Sequence, residues 1–446
     1  MKQILPANDA TMKILGKPVT SDAGYRLLRY CTSLPVEDGV LLFNLLTREL
    51  LLLTEEEYSN VLTLPELREK WFVVPENTNE KKTVETIRLI QRTMAPPPKY
   101  ITSYKILPTT DCNARCFYCF ELGRSRIPMS EETALRTVAF IKENCGGRKV
   151  RLSWFGGEPL FNHGIIDLIC DKLREDGIEF SSTMISNGYL FNDELVEKAK
   201  TSWNLKSVQI TLDGTEAVYN RCKAFIYREG SAYQVVMANI ARLLNNGIRV
   251  AVRMNLDFHN ADDLMKLADV LAERFAGQSK LYAYCHLIFD DKTPWNERYS
   301  MEQWEELYAL QRQLQLRLLS NGISDSRSWR LGKKLPQYQC IADNPECIVI
   351  LPDGNLGVCE HFSENHFVGH MDSPERDQKT IASFRKHCDE IPACDTCFYY
   401  PECIRLEKCP DLNPCFPPEQ ADLLWRTQVA MRNEYRIWKK KTENEG

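Results

Sequence analysis

The sequence predicts an α/β fold: a partial (β/α)6 barrel with a small N-terminal α+β appendage and an irregular, cysteine-rich C-terminal domain. Three observations carry this reading. From about residue 103 to 322, strand-like apolar runs alternate with amphipathic helical ones, which with short links means a parallel sheet curled as a barrel or partial barrel. The chemically unusual segments follow the strands, where the working loops of such sheets lie. From about residue 336 the periodicity fades and cysteine accumulates, so metal replaces an apolar core there. The chain divides accordingly into 1–98, 99–325 and 326–446.

In the appendage, "DGVLLFNLLTRELLLLTEEEYSNVL" reads as a β-hairpin turning near Leu46–Arg48 and then a short helix. "LPELREKWFVV" and "TVETIRLIQRTM" read as two more helices, before the stiff "APPPKY" linker. Six strand–helix units follow. "SYKILPTT" leads through a cysteine loop to the helix capped by Ser130. "KVRLSWFGGEP" precedes "HGIIDLICDKLREDG", and "EFSSTMISNG" precedes "NDELVEKAKTSW". "SVQITLDG" precedes "AYQVVMANIARLLNNG", "IRVAVRMNL" precedes "NADDLMKLADVLAERFAG", and "LYAYCHLIFD" precedes "SMEQWEELYALQRQLQLRLLSNG". Asn or Ser opens most of these helices and Gly closes most, as capping chemistry requires. "PEQADLLWRTQVAMRNEYRIWKK" is a last helix.

A net charge of −5 gives no basic face for nucleic acid, and 43% apolar with 26% charged residues describes a globular protein. No apolar run reaches the ~20 residues that span a bilayer, and "MKQILPANDATMKIL" lacks the apolar stretch of a secretory signal. These features place the protein in the cytoplasm, without membrane or nucleic-acid partners. In that reducing setting 17 cysteines point to metal or redox chemistry rather than disulfides. Cys31, Cys145, Cys170, Cys222 and Cys285 are scattered singly and read as small buried hydrophobes.

The other twelve are grouped. Cys112-x3-Cys116-x2-Cys119 lies in the loop after the first barrel strand. Three thiolates can hold three irons of a cubane and leave the fourth iron open to a small chelating ligand; the alternative is a zinc knuckle with a distant fourth ligand. Further on come Cys340, Cys347, "PDGNLGVC" ending at Cys359, Cys388, and the run Cys394-x2-Cys397-x5-Cys403-x5-Cys409-x5-Cys415. Leaving out Cys388, these are eight thiols, enough for two four-thiolate sites, either iron–sulfur clusters or zinc ribbons.

The C-x3-C-x2-C loop resembles the signature of radical S-adenosylmethionine (SAM) enzymes. In that family the open iron of a 4Fe–4S cluster binds SAM, and one electron cleaves the sulfonium to give a 5′-deoxyadenosyl radical. "GGEP", Gly156, Gly157, Glu158 and Pro159, resembles the segment that bonds the SAM amino group. "SNG", with Ser186 and Asn187, resembles the ribose-contacting element, and Arg253 the arginine that pairs with the SAM carboxylate. "LDG", with Asp213, matches a further family element, and Arg221 the arginine that commonly follows it.

The C-terminal thiols are similar to the SPASM extension of peptide-modifying members, which carries two auxiliary 4Fe–4S clusters. The resemblance implies three clusters in all. It implies Cys340, Cys347, Cys359 and Cys409 for the first auxiliary cluster, and Cys394, Cys397, Cys403 and Cys415 for the second. The x5 between Cys403 and Cys409 departs from the usual x3, which leaves Cys388 or Cys409 open to exchange. Eight ligands leave no open auxiliary iron, so the implied role is electron transfer.

The appendage resembles the leader-recognition region of maturases of ribosomally made peptides; a peptide leader can add a strand to such a module. The implied function is a maturase that abstracts hydrogen from a precursor peptide, leader plus core, and installs a thioether or carbon–carbon crosslink. A flavodoxin- or ferredoxin-type protein would donate the electrons. An anaerobic sulfatase-maturating enzyme making formylglycine is the alternative. Epimerisation would need a hydrogen-donating thiol, for which Cys222 and Cys285 are the candidates. An oxygen-sensitive cluster implies an anaerobic or microaerobic setting.

Overall fold

A computed structural model describes residues 1–18, 22, 24–94, 99–227, 229–288, 293, 295–324, 329–338, 340–362, 367–385, 392–403, 405–406, 409 and 417–445. The linker prolines, Cys388 and Cys415 lie outside the described residues.

The appendage contains β1 (Lys2–Leu5), α1 (Asp9–Leu15), β2 (Tyr25–Leu27), β3 (Cys31–Val36), β4 (Gly39–Asn44) and β5 (Leu50–Leu53). α2 (Glu55–Ser59), α3 (Pro65–Glu69), β6 (Val73–Pro75) and α4 (Glu80–Met94) follow. The β4–β5 turn falls where the sequence places it: Arg48 takes φ 69°, and the Asn44 carboxamide accepts from Leu46 and Thr47 amides. A capping box between Thr54 and Glu57 starts α2. One expectation fails. The end of "LPELREKWFVV" is not helical: Val73 and Val74, consecutive buried β-branched residues, form the strand β6 with Pro75, paired antiparallel with β2.

The barrel begins with β7 (Ser103–Thr109), α5 (Glu131–Asn144), β8 (Val150–Gly156), α6 (His163–Glu175), β9 (Phe180–Ser186), α7 (Asp193–Thr201) and β10 (Leu205–Thr211). It continues with α8 (Glu216–Lys223), α9 (Ala232–Asn245), β11 (Arg249–Leu256), α10 (Ala261–Arg274), β12 (Leu281–Leu287), α11 (Trp295–Arg298) and α12 (Met301–Ser320). Ser130, Asn192, Ser231 and Ser300 each cap a helix by accepting a backbone N–H. α8 was not foreseen, since eight residues offer too little periodicity to read.

β13 (Cys347–Ile350), β14 (Asn355–Gly357), β15 (Gly369–His370), α13 (Gln378–Phe384) and α14 (Pro417–Glu445) complete the chain. β7 to β12 run parallel in sequence order. β13 joins their sheet parallel to β7, and β14 and β15 add antiparallel beyond it. The cysteine-rich region thus extends the barrel sheet through its first hairpin.

The main core lies between the barrel strands and their helices, with Trp154, Trp203 and Trp304 fully buried. A second core joins the appendage to the C-terminal region: Leu41, Phe43 and Leu52 pack with Cys394, Tyr400, Met431 and Tyr435. Among the described residues no helix is long and apolar enough to cross a membrane.

Candidate functional site

At the C-terminal ends of the barrel strands lies a cavity of about 380 Å³, within the range of small-molecule sites. Cys112, Cys116 and Cys119 line it, as do Gly156, Gly157, Ser186, Asn187 and Arg253. Segments far apart in sequence therefore meet at one site.

Local chemistry explains how the cysteine loop is held. Thr110 and Ile127 close its base, each amide donating to the other residue at 2.8 to 3.0 Å. The loop then rests on the paired glycines. A Cβ on Gly156 would lie 2.2 Å from the Thr109 carbonyl oxygen, and one on Gly157 2.3 Å from that of Asp111. Gly157 and Glu158 instead donate their amides to those two carbonyls, at 3.2 and 2.9 Å. The glycines are needed here for close approach of the loop backbone.

Glu158 and Pro159 are buried behind the cavity wall rather than lining it. The Glu158 carboxylate accepts from the Leu160 amide (3.1 Å), the Ser186 hydroxyl (2.9 Å) and the Asn187 amide (2.8 Å). It therefore ties "GGEP" to "SNG". Burial pushes its pKa up to about 7 against these bonds. The Asn187 carboxamide in turn donates to the Asn113 side chain at 2.6 Å and lies 3.8 Å from the Cys112 sulfur.

Polar side chains from β10 and β11 face the same cavity: Gln209, Thr211, Arg253 and Asn255, with Arg253 Nε donating to Asn255 Oδ1 at 2.8 Å. Only Arg253 was singled out from sequence. The signal for the others was present, since 209/211 and 253/255 are same-face pairs in otherwise apolar strands. Arg221 is exposed on α8 and Asp213 is buried, so neither lines the cavity. Nor do Cys222, half-buried on α8, and Cys285, in the barrel core.

Asp213 belongs to a buried cluster. Tyr118 Oη donates to Asp213 Oδ2 at 2.6 Å, and Lys223 Nζ lies 3.1 Å from that oxygen and 2.7 Å from Tyr118 Oη. Burial opposes the Lys223 charge, but Asp213 and Cys116 outweigh it and raise its pKa well above the usual value.

The cavity's remaining wall comes from the C-terminal region. Glu360 and His361 line it directly after Cys359. Glu360 pairs with Lys105 of β7 at 2.5 Å; burial opposes its charge, yet Lys105 holds it below the usual carboxylate range. The His361 ring lies 4.4 Å from that of Phe120, which stacks on Phe155 at 6.2 Å. Nothing in the sequence pattern marked these two residues.

The chain fits an iron–sulfur group and its chelating ligand on three counts. Three soft thiol donors line one wall, glycines admit close approach, and a guanidinium lies on the floor. Burial pushes the Cys112 thiol up to about 12 and the Cys119 thiol up to about 11. Among the described residues no three Cys, His, Asp or Glu side chains converge on a single ion-sized point.

The remaining cysteines fall into two environments. Cys359 is buried in the barrel core, Cys340 acts on it electrostatically, Cys347 begins β13, and Cys409 packs on that same core. Cys394 and Cys397 belong to the second core, and Cys403 is close enough to raise Cys397. Around the latter three, Arg88 of α4 donates to the Tyr400 carbonyl at 2.8 Å, and Lys81 pairs with Asp395 at 3.0 Å.

Residues 106–271 match the Radical SAM superfamily. This stretch, from β7 into α10, is therefore a radical SAM domain, a family that implies a 4Fe–4S cluster and SAM. GTP 3′,8-cyclase of Clostridium perfringens is 32% identical over 174 residues, 38% of this chain and 51% of that protein. The chain thus spans about half the length, or less, of the first curated relatives it matches. The serine-type anaerobic sulfatase-maturating enzyme of Klebsiella aerogenes is 23% identical over 344 residues, 70% of this chain and 80% of its own. Among solved structures, native anSMEcpe with bound AdoMet and Cp18Cys peptide superposes with TM-score 0.58 at 13% identity, covering 77% of this chain and 100% of that one. Streptococcus suis SuiB bound to S-adenosylmethionine gives 0.51 at 13% identity, covering 87% and 98%.

Proposed function

We propose that this protein is a radical SAM peptide maturase that removes hydrogen from a residue of a ribosomally made precursor and leaves a thioether or carbon–carbon crosslink. The observation that carries the reading is the convergence of the three-cysteine loop, the paired glycines and Arg253 in one cavity whose far wall is the hairpin end after Cys359. Cys112, Cys116 and Cys119 would hold the barrel cluster, and Arg253 would take a carboxylate of its ligand. When bound, cluster and SAM supply one-electron cleavage and a hydrogen-abstracting radical.

The chain's own residues position and enclose. Gly156, Gly157 and Glu158 fix the loop against β8 and β9, and Asn187 orients its first cysteine. Phe120, Phe155 and His361 form an apolar and aromatic wall that keeps water from a reactive centre. Cys359 and Cys409 pack on one core and Cys394 and Cys397 on another, with Cys340 beside Cys359 and Cys403 beside Cys397, which supports Cys340, Cys347, Cys359 and Cys409 as one auxiliary set and Cys394, Cys397 and Cys403, with Cys415, as the other. The first set adjoins the cavity wall and is suited to take an electron from an oxidised substrate. A flavodoxin- or ferredoxin-type protein would deliver the reducing electron. The peptide bound in the anSMEcpe structure supports a peptide substrate.

Formylglycine formation on a sulfatase is the second reading, favoured by the 70% of this chain that aligns with the Klebsiella enzyme. One experiment separates them. The reconstituted protein is incubated anaerobically with SAM, dithionite and, in parallel, a short peptide encoded beside its gene and a sulfatase-motif peptide. Crosslinking predicts loss of two hydrogens without a hydrazine-reactive aldehyde; formylglycine predicts the aldehyde. No change in either peptide overturns both readings.

A further inference from the structure

The Asp213–Lys223 pair lies beside the cysteine loop, and the reading of the barrel does not account for it. Both side chains are almost fully buried, at 1% and 4% exposure. A buried ion pair is expensive to desolvate and is weak evidence for stability, so its orientation is informative. Lys223 lines the cavity alongside Cys116 and Cys119, whereas Asp213 lies behind it. The pair thus turns its positive end toward the sulfurs. Tyr118, which directly precedes the last of the three cysteines, bonds both partners through its hydroxyl.

The backbone fixes the same junction. The Arg115 amide donates to the Lys223 carbonyl at 2.8 Å and the Ile226 amide to the Asn113 carbonyl at 2.9 Å, so the end of α8 is fastened to the cysteine loop. Asn260 Nδ2 holds the Asp213 carbonyl at 3.0 Å. Asp213 Oδ1 is buried with no hydrogen-bond partner. An unsatisfied carboxylate oxygen behind a satisfied ammonium is a dipole held in place by its surroundings, at a cost of the kind found where function demands it.

We propose that Lys223 is a positioning residue for the barrel cluster: held by Asp213 and Tyr118, it fixes the Cys116–Cys119 segment and sets the cluster's reduction potential through its charge. The inference rests on the radical SAM reading of the loop. Adding one electron from dithionite makes the cluster and its thiolates more negative, and a fixed ammonium in a low-dielectric site stabilises that state.

The test is a redox titration of anaerobically reconstituted holoprotein, following by electron paramagnetic resonance the reduced-cluster signal that changes when SAM is added. Lys223→Met keeps the side chain's length and removes the charge. It should make reduction at least tenfold less favourable, about 59 mV more negative for one electron. Asp213→Asn leaves the ammonium uncompensated and should shift the potential the opposite way. Tyr118→Phe keeps both charges; its potential should stay within twofold of the parent in equilibrium constant, while iron is lost to a chelator several-fold faster. If Lys223→Met fails to retain iron, Asp213→Asn and Tyr118→Phe still decide the matter. Same-direction shifts in the two charge variants, or a Tyr118→Phe shift as large as theirs, would overturn the inference and leave the radical SAM reading intact. A parent protein with no reducible SAM-responsive cluster would overturn that reading and the inference with it.

Discussion

The barrel-end cysteines and the C-terminal cysteines are held in different ways. Cys112, Cys116 and Cys119 lie on one loop fastened by backbone bonds to the segment after β8 and to the end of α8, and by a side-chain bond from Asn187 after β9 to Asn113. Among the described C-terminal cysteines, Cys359 and Cys409 pack on the barrel core, and Cys394 and Cys397 on the core shared with the N-terminal appendage. The first group is organised by local geometry, the second by how separate parts of the chain pack. Damage to the loop should therefore be confined to one site, whereas damage to the appendage should reach the outer C-terminal site.

The largest expected effect comes from Gly157→Ala. Its Cβ would meet the Asp111 carbonyl at 2.3 Å, so the loop must shift. Reconstituted iron should fall from roughly twelve to about eight per chain, and deoxyadenosine formation should cease. Full iron content would mean that the loop adapts and is not fixed as described. Next, Cys394→Ala with Cys397→Ala, and separately Cys340→Ala with Cys359→Ala, should each remove about four irons and leave the other auxiliary site spectroscopically intact. Loss of both auxiliary sites in either variant would break the two-core division.

A pH effect follows from Glu158. Its folded pKa of about 7 lies above the ordinary 4.5, so the folded protein binds more protons than the unfolded chain between those values. Its contribution is fully present below about 4.5 and is lost as pH rises through about 7. Glu158→Gln should remove that slope, on the order of 3 kcal/mol across the window, in anaerobic denaturation. An unchanged slope would show that the carboxylate stays ionised. Smallest of all, Arg88→Ala removes a half-buried donor to the Tyr400 carbonyl. It should cost about 1–3 kcal/mol and perturb the outer auxiliary site, with deoxyadenosine formation unchanged.

Much of this was legible in sequence because it rests on periodicity and short spacing. The six barrel strands, their caps, the Leu46–Arg48 turn and the cysteine loop all have local signals. What escaped depends on packing between distant segments. Glu158 was read as a cofactor contact because "GGEP" resembles the family's SAM-binding segment; in the structure its carboxylate bonds Leu160, Ser186 and Asn187 behind the cavity wall. β6 was read as helix because three residues carry no period. Lys223 was not singled out, because α8 carries too little periodicity to read and only its junction with the cysteine loop brings the lysine to Tyr118. Glu360 and His361 reach the cavity only because β13 joins β7, a pairing between residues more than two hundred positions apart.

The most direct test of the central claim is deoxyadenosine formation by the Cys112→Ala/Cys116→Ala/Cys119→Ala triple variant beside the parent, both reconstituted anaerobically and given SAM and dithionite. The parent should form deoxyadenosine with roughly twelve irons, and the variant should form none while keeping about eight. Deoxyadenosine from the variant at the parental rate would contradict the assignment of these three cysteines as the site of radical initiation.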